Sequence, residues 1–293
     1  MATNTERDDL GRLIIKYAPT SGYTPAVRSK LVCSVDLARR AVSNACEQLR
    51  WLAVKSHVTL ADIGDVPYRT LRRHFSFAPI PSSGVIPDLA WTAWAKNINT
   101  IAFNLVRISQ GLERPVTIAD AQASNEKKFH PIGVARLTAF YPDPAKRQMV
   151  DEVAQTYARG EAMARSGFVA VKSAANAAMA PGELSRYLAG DLSVKVDATD
   201  KGSIHLNFLT QLADRSVTNL RVASTIIHEA SHKFCDTRDF AYSQDAGYGA
   251  LTSTQALMNA DSYAFAAVCL YKGHVFQDEA AMTTPPTGVN MNA

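Results

Sequence analysis

Apolar residues in PAVRSKLVCSVDLARRAVSNACEQLRWLAV, residues 25 to 54, recur at every third or fourth position: Val27, Leu31, Val35, Ala38, Val42, Ala45, Leu49 and Leu52. An α-helix brings such positions onto one face, so the spacing predicts a long amphipathic helix, or two in tandem. A second is predicted over residues 87 to 108, with Gly111 as its stop signal. Between them, PYRTLRRHFSFAPIPSSG is punctuated by proline, serine and glycine and reads as a connector. Residues 113 to 130 turn polar and loop-like, which makes them the candidate domain boundary. Pro144 can then open a further helix that closes at Gly167. LSVKVD (192 to 197) and SIHLNF (203 to 208) alternate apolar and polar residues across a short turn, the pattern of a β-hairpin. Residues 217 to 235 read as a largely buried helix capped by Ser216 or Thr218, and a last helix runs from Thr252 or Ser253 to Gly273. The fold class expected is mainly α (α+β): a helical region over residues 1 to 115, a second domain over 130 to 275, and a disordered tail over 276 to 293.

Composition narrows the class without changing that picture. The chain has 293 residues, 47% of them hydrophobic and 20% charged, enough for a sizeable core. Its net charge of +4 comes from scattered basic residues mixed with acids, which argues against a nucleic-acid or membrane face. No window approaches the apolar length of a membrane span. Four dispersed cysteines form no CxxC pair and no disulfide framework. The first residues, MATNTERDDLGRLIIKY, lack the features of a Sec signal peptide. The expectation is synthesis in the cytoplasm, with any export left to a specialised secretion machine.

The chemistry concentrates in STIIHEASHKFCDTRDFAY, residues 224 to 242. His228 and His232 lie one helical turn apart, so their Cβ atoms stand roughly 5 to 6 Å from each other and both rings can reach one ion. Glu229 lies about 100° further round the helix, where it can touch a water without competing as a ligand. This is the HExxH arrangement of two zinc ligands and a general base. A catalytic zinc needs a third protein ligand and an open position. A metzincin would need glycine at Cys235 and histidine at Arg238, and a thermolysin-type site would need a downstream glutamate where only Glu279 exists. Asp236, Asp239, Asp245 and Asp261 remain. Asp261 sits in the apolar stripe of the last helix, where a carboxylate needs a partner. The Nδ1 proton of a zinc-bound histidine would be a fitting one.

HEASH followed by DTRDFAY resembles the aspzincin pattern HExxH then GTxDxxYG, with Asp236 and Ser243 in place of the two glycines. NADSYA, residues 259 to 264, resembles the N-A-D-x-Y segment of deuterolysins. The resemblance, to the deuterolysin and peptidyl-lysine metalloendopeptidase family, covers about residues 135 to 275 and implies a zincin-like catalytic domain holding one Zn²⁺. It implies His228, His232 and Asp239 as ligands, Glu229 as base, and Tyr242 as an oxyanion-stabilising hydroxyl. It also draws Thr237, Asn259, Asp261 and Tyr263 into the supporting or substrate-binding set. The alternative geometry takes Asp261 as third ligand with Asp239 behind it. The lysine-specific branch places a further acid three residues after the N-A-D aspartate, where this chain has Ala264, which points away from strict lysine specificity.

The expected function is a zinc metalloendopeptidase acting on a protein or peptide, in the setting of an exported bacterial effector with a secretion apparatus or a cognate inhibitor as further partners. Two alternatives stand beside it: a zinc amidase acting on peptidoglycan peptides, and a binding or delivery module with structural zinc. The SQDAGYGALTST loop, with Tyr248 between glycines, is either a lid over the substrate or an ordinary turn.

Overall fold

A computed structural model describes residues 4–8, 10–17, 22–54, 59–80, 86–120, 203–283 and 289, and all of these but Ser203 belong to one compact unit. It is mainly helical with a small sheet, an α+β arrangement. The helix α1, Pro25–Ala53, opens with Thr24 as N-cap and proline in its first turn. Every residue of its predicted stripe is buried. Around it pack α4 (Asp88–Glu113), α5 (Asn219–Cys235) and α7 (Ala260–Lys272). Residues 260 to 270 of α7 are all buried, so this helix runs through the core with no solvent face.

Four strands lie in the order β1 (Asn4–Arg7), β2 (Leu13–Tyr17), β3 (Val116–Asp120) and β4 (Ile204–Leu206). The first pair is antiparallel and the other two are parallel. Strands from the N-terminal part thus share a sheet with β4, just as α1 and α4 share a core with α5 and α7.

Several expectations need correction. The supposed connector contains two helices, α2 (Leu60–Ile63) and α3 (Asp65–Phe75). Pro67 falls in the first turn of α3, where its missing N–H costs nothing, and Thr70, Leu71, His74 and Phe75 form the buried face. Gly111 does not stop α4, which continues to Glu113. A Cβ there would stand 2.4 Å from the Phe234 ring, so the glycine admits that ring against the helix. The polar stretch after residue 113 begins with β3, and Arg39, itself buried, donates to the carbonyls of Leu112 and Arg12 beside it.

The second arm of the expected hairpin is β4, bonded in parallel to β3. The first arm and the helix from Pro144 to Gly167 lie outside the described residues. The expected last helix is broken in two: α6 (Ser253–Ala256) ends before Asn259, and α7 begins at Ala260. The described residues of the expected tail, 276 to 283 and 289, are ordered rather than disordered. Phe276 and Met282 are buried, and Thr218 Oγ1 donates to Met282 O at 2.9 Å. None of the helices among the described residues is long and apolar enough to cross a membrane.

Candidate metal centre

The site is built on the C-terminal half of α5 and the loop that follows. Thr218 caps the helix by accepting from Arg221 N, and Leu220, Ala223, Ile226, Ile227 and Ala230 anchor its inner face. With that face fixed, His228 and His232 project from one side. The helix ends at Asp236, whose backbone is left-handed at φ 57°. The aspzincin pattern has glycine at this position, and aspartate is among the residues that tolerate the conformation. The reversal brings Arg238 alongside the start of α7: Arg238 N donates to Met258 O at 2.7 Å and Ala260 N to Arg238 O at 3.0 Å. Asp239 is thereby swung back under the two histidines.

Three potential ligand atoms converge. His228 Nε2 and His232 Nε2 are 3.1 Å apart, and Asp239 Oδ1 lies 3.1 Å from the first and 3.2 Å from the second. A cation about 2.0 to 2.1 Å from each would subtend angles of about 100°, close to tetrahedral. The far side of each ring supports the same reading. His228 Nδ1 meets Asp261 Oδ1 at 2.6 Å, and His232 Nδ1 meets the carbonyl of Thr237 at 2.8 Å. A carbonyl can only accept, so His232 carries its proton on Nδ1 and turns an Nε2 lone pair inward. Asp261 fixes His228 in the same way. Among the described residues this trio is the one group that could hold a metal ion.

The electrostatics match three acceptors facing one another. Burial works against a charged His228, but its hydrogen bonds with Asp239 and Asp261 prevail and raise its pKa to about 10 in the metal-free protein. His232 is likewise burdened by burial and raised by Asp239. Burial would lift Asp239, yet the two imidazoles hold its carboxyl far below the ordinary carboxylate range. The site is primed for positive charge, which a proton or a cation can supply.

The structure sorts the remaining predicted residues. Tyr242 stacks on the His228 ring, centroids 5.9 Å apart, and its hydroxyl donates to Asp239 Oδ2 at 3.2 Å. Burial and the Asp239 charge raise its pKa, so the hydroxyl stays protonated. Glu229 is half-buried beside His228, and its carboxylate makes no hydrogen bond to a described residue. Thr237 is buried, its hydroxyl 2.7 Å from that of Ser231. Asn259 grips the ligand loop: its Oδ1 accepts from Phe240 N and Ala241 N, and its Nδ2 donates to Ala241 O. Tyr263 lies elsewhere, donating to Leu257 O and accepting from Asn104 in the core. Tyr248 is also buried, so it forms no lid.

Asp261 stands behind His228 rather than in the trio, with both oxygens engaged, since Oδ2 accepts from Ser243 N at 2.7 Å. Sequence reasoning missed this use of Ser243, because a backbone N–H leaves no mark in residue type.

Residues 202–267 match the family model Aspzincin M35, described as lysine-specific metallo-endopeptidase. Over this segment the chain is similar to the aspzincins. The match runs from just before β4 through most of α7 and contains His228, His232 and Asp239 together with Glu229, Tyr242, Asn259 and Asp261. It supports a zinc-dependent metalloendopeptidase in general, and the trio offers the donor set that zinc requires. No curated protein and no solved structure matches the chain.

Proposed function

We propose that this chain is a zinc metalloendopeptidase that cleaves peptide bonds in a protein or peptide substrate, with no strict preference for lysine. The observation that carries the reading is the triangle of His228 Nε2, His232 Nε2 and Asp239 Oδ1, its edges 3.1 to 3.2 Å, within the aspzincin match. Bound zinc would supply Lewis acidity to the scissile carbonyl and to the attacking water. His228, His232 and Asp239 would hold it. Glu229 accepts a proton from the attacking water and returns it to the departing amine, so hydroxide adds to the carbonyl carbon and hydrogen to the nitrogen. Tyr242, released from Asp239, donates its hydroxyl to the oxygen on which charge develops.

The family description names lysine, but the residues here speak for a broader choice. Both Asp261 oxygens are committed to His228 and Ser243, so this carboxylate has little left to offer a substrate ammonium. The position three residues on is Ala264, fully buried. Phe240 and Tyr242 instead present exposed rings beside the centre, suited to apolar side chains.

The test is Glu229→Gln assayed on a mixed quenched-fluorescence peptide library. The variant is expected to retain zinc and lose about two or more orders of magnitude in kcat. Equal turnover would remove Glu229 from the mechanism, and cleavage confined to lysine sites would remove the specificity reading.

A further inference from the structure

Behind the metal centre the segment that follows Asp239 is tied by a buried hydrogen bond to a histidine outside the aspzincin match. Asn259, which grips residues 240 and 241, donates from Nδ2 to Ser262 Oγ at 3.4 Å. Within the segment that Asn259 grips, Tyr248 is fully buried. Tyr248 in turn meets His74 Nδ1 at 2.9 Å, and His74 Nε2 faces Cys269 Sγ at 3.7 Å. Asn259, Ser262, Tyr248, His74 and Cys269 are all buried. The order of donors is consistent. A neutral His74 carrying its proton on Nε2 accepts at Nδ1 from the Tyr248 hydroxyl.

His74 is not the sole hold that α3 has on this segment. The Arg73 guanidinium lies over the Tyr248 ring, 5.6 Å from its centroid, and donates to Gln277 O. Ser253 Oγ donates to the carbonyl of Ser76, the left-handed residue that ends α3. The stretch from Asp239 to Leu251 is therefore pinned at residues 240 and 241 by Asn259, at 243 by Asp261 and at 248 by α3.

We infer that His74 is a positioning residue for the metal centre: through Tyr248 it fixes the segment that carries Asp239 and Tyr242, making α3 an integral part of the catalytic unit. The inference rests on the metal-centre reading proposed above. It ties the helical region over residues 1 to 115 to the site, because removing α3 would leave Tyr248 a buried hydroxyl without its acceptor.

The test uses the full-length chain in four forms: wild type, Tyr248→Phe, His74→Asn and His74→Leu. Tyr248→Phe keeps the ring and deletes only the hydroxyl, so it reports even where a His74 variant fails to fold. Hydrogen exchange of residues 240 to 243 in metal-free protein is expected to quicken about fivefold in Tyr248→Phe and His74→Leu, the worth of about one hydrogen bond. Their zinc dissociation constants should rise about threefold to tenfold, at the low end of what support for a ligand is worth. His74→Asn keeps an acceptor near the Nδ1 position and should sit closer to wild type than His74→Leu. A histidine that merely fills the core gives the opposite order, since leucine suits an apolar space better than asparagine. Exchange and zinc affinity within about twofold of wild type in Tyr248→Phe would overturn the inference. Wild-type protein that held no zinc would remove the metal reading and take this inference with it, an outcome distinct from unchanged exchange.

Discussion

Replacing Asp261 by asparagine changes almost no volume and removes one charge, so its effects can be worked from two hydrogen bonds. Oδ1 accepts from His228 Nδ1 at 2.6 Å and Oδ2 from Ser243 N at 2.7 Å, and the side chain is nearly fully buried. Asparagine has one acceptor oxygen and one NH₂, so it can serve only one of the two donors. If its NH₂ faces His228, the imidazole must accept at Nδ1 and carry its proton on Nε2, the atom the metal needs. If its NH₂ faces Ser243, two donors oppose each other inside the protein. A buried unsatisfied donor costs about 1 to 3 kcal/mol, and loss of a carboxylate behind a ligand histidine typically costs about 10- to 100-fold in metal affinity. Competition against a chromophoric chelator would read the zinc dissociation constant, and urea unfolding of the metal-free protein would read the stability. Asp261→Asn is expected to show both losses while still folding. A dissociation constant within about twofold of wild type, with unchanged stability, would refute the assignment of Asp261 as the support of His228.

Acid should destabilise the protein through His74, whose pKa is pushed down to about 3, first by burial and then by the Arg73 charge. From pH 6.5 downward the unfolded chain takes up a proton that the folded chain refuses, so stability falls by about 1.4 kcal/mol per pH unit until the folded value is reached. Urea midpoints of wild type and His74→Asn across this range should diverge, and parallel curves would contradict the burial of a neutral imidazole. Gly111→Ala should destabilise: about 1 kcal/mol of helix propensity is gained, but the new methyl meets the Phe234 ring and overpacking costs about 1 to 3 kcal/mol. Adding Phe234→Leu should recover the loss in a thermal melt, and a stabilised single variant would show that the ring moves aside freely. Tyr242→Phe should keep zinc affinity near wild type and lower kcat, since its hydroxyl touches only the non-coordinating oxygen of Asp239; a large loss of zinc would make it a support for that ligand instead.

Periodic burial was the most legible part of the chain. The α1 stripe needs only one helix face against a core, and all eight of its named positions are buried. HExxH was legible for the same reason, because the geometry of one helical turn fixes where both histidines point. Asp239 needed the family motif, since the αL backbone of Asp236 that returns it to the histidines cannot be told from a simple helix end in sequence. For Asp261, the cost of an unpaired carboxylate on an apolar face pointed to a histidine Nδ1 as partner without saying which, and Asp261 Oδ1 lies 2.6 Å from His228 Nδ1. Long-range pairing was not legible: β2, β3 and β4 are three to five residues each and meet across stretches that local patterning does not span. Proline punctuation hid α3, and with it His74. Phe276 was assigned to a tail because irregular chain packed on a core has no period to detect.

Metal content of the purified chain tests the central claim most directly. After loading with zinc and exhaustive dialysis, wild type should retain about one ion per chain, whereas His232→Ala and Asp239→Ala, each lacking one corner of the trio, should retain almost none. A wild-type chain without zinc, or an Asp239→Ala variant that holds it as tightly as wild type, would contradict the account.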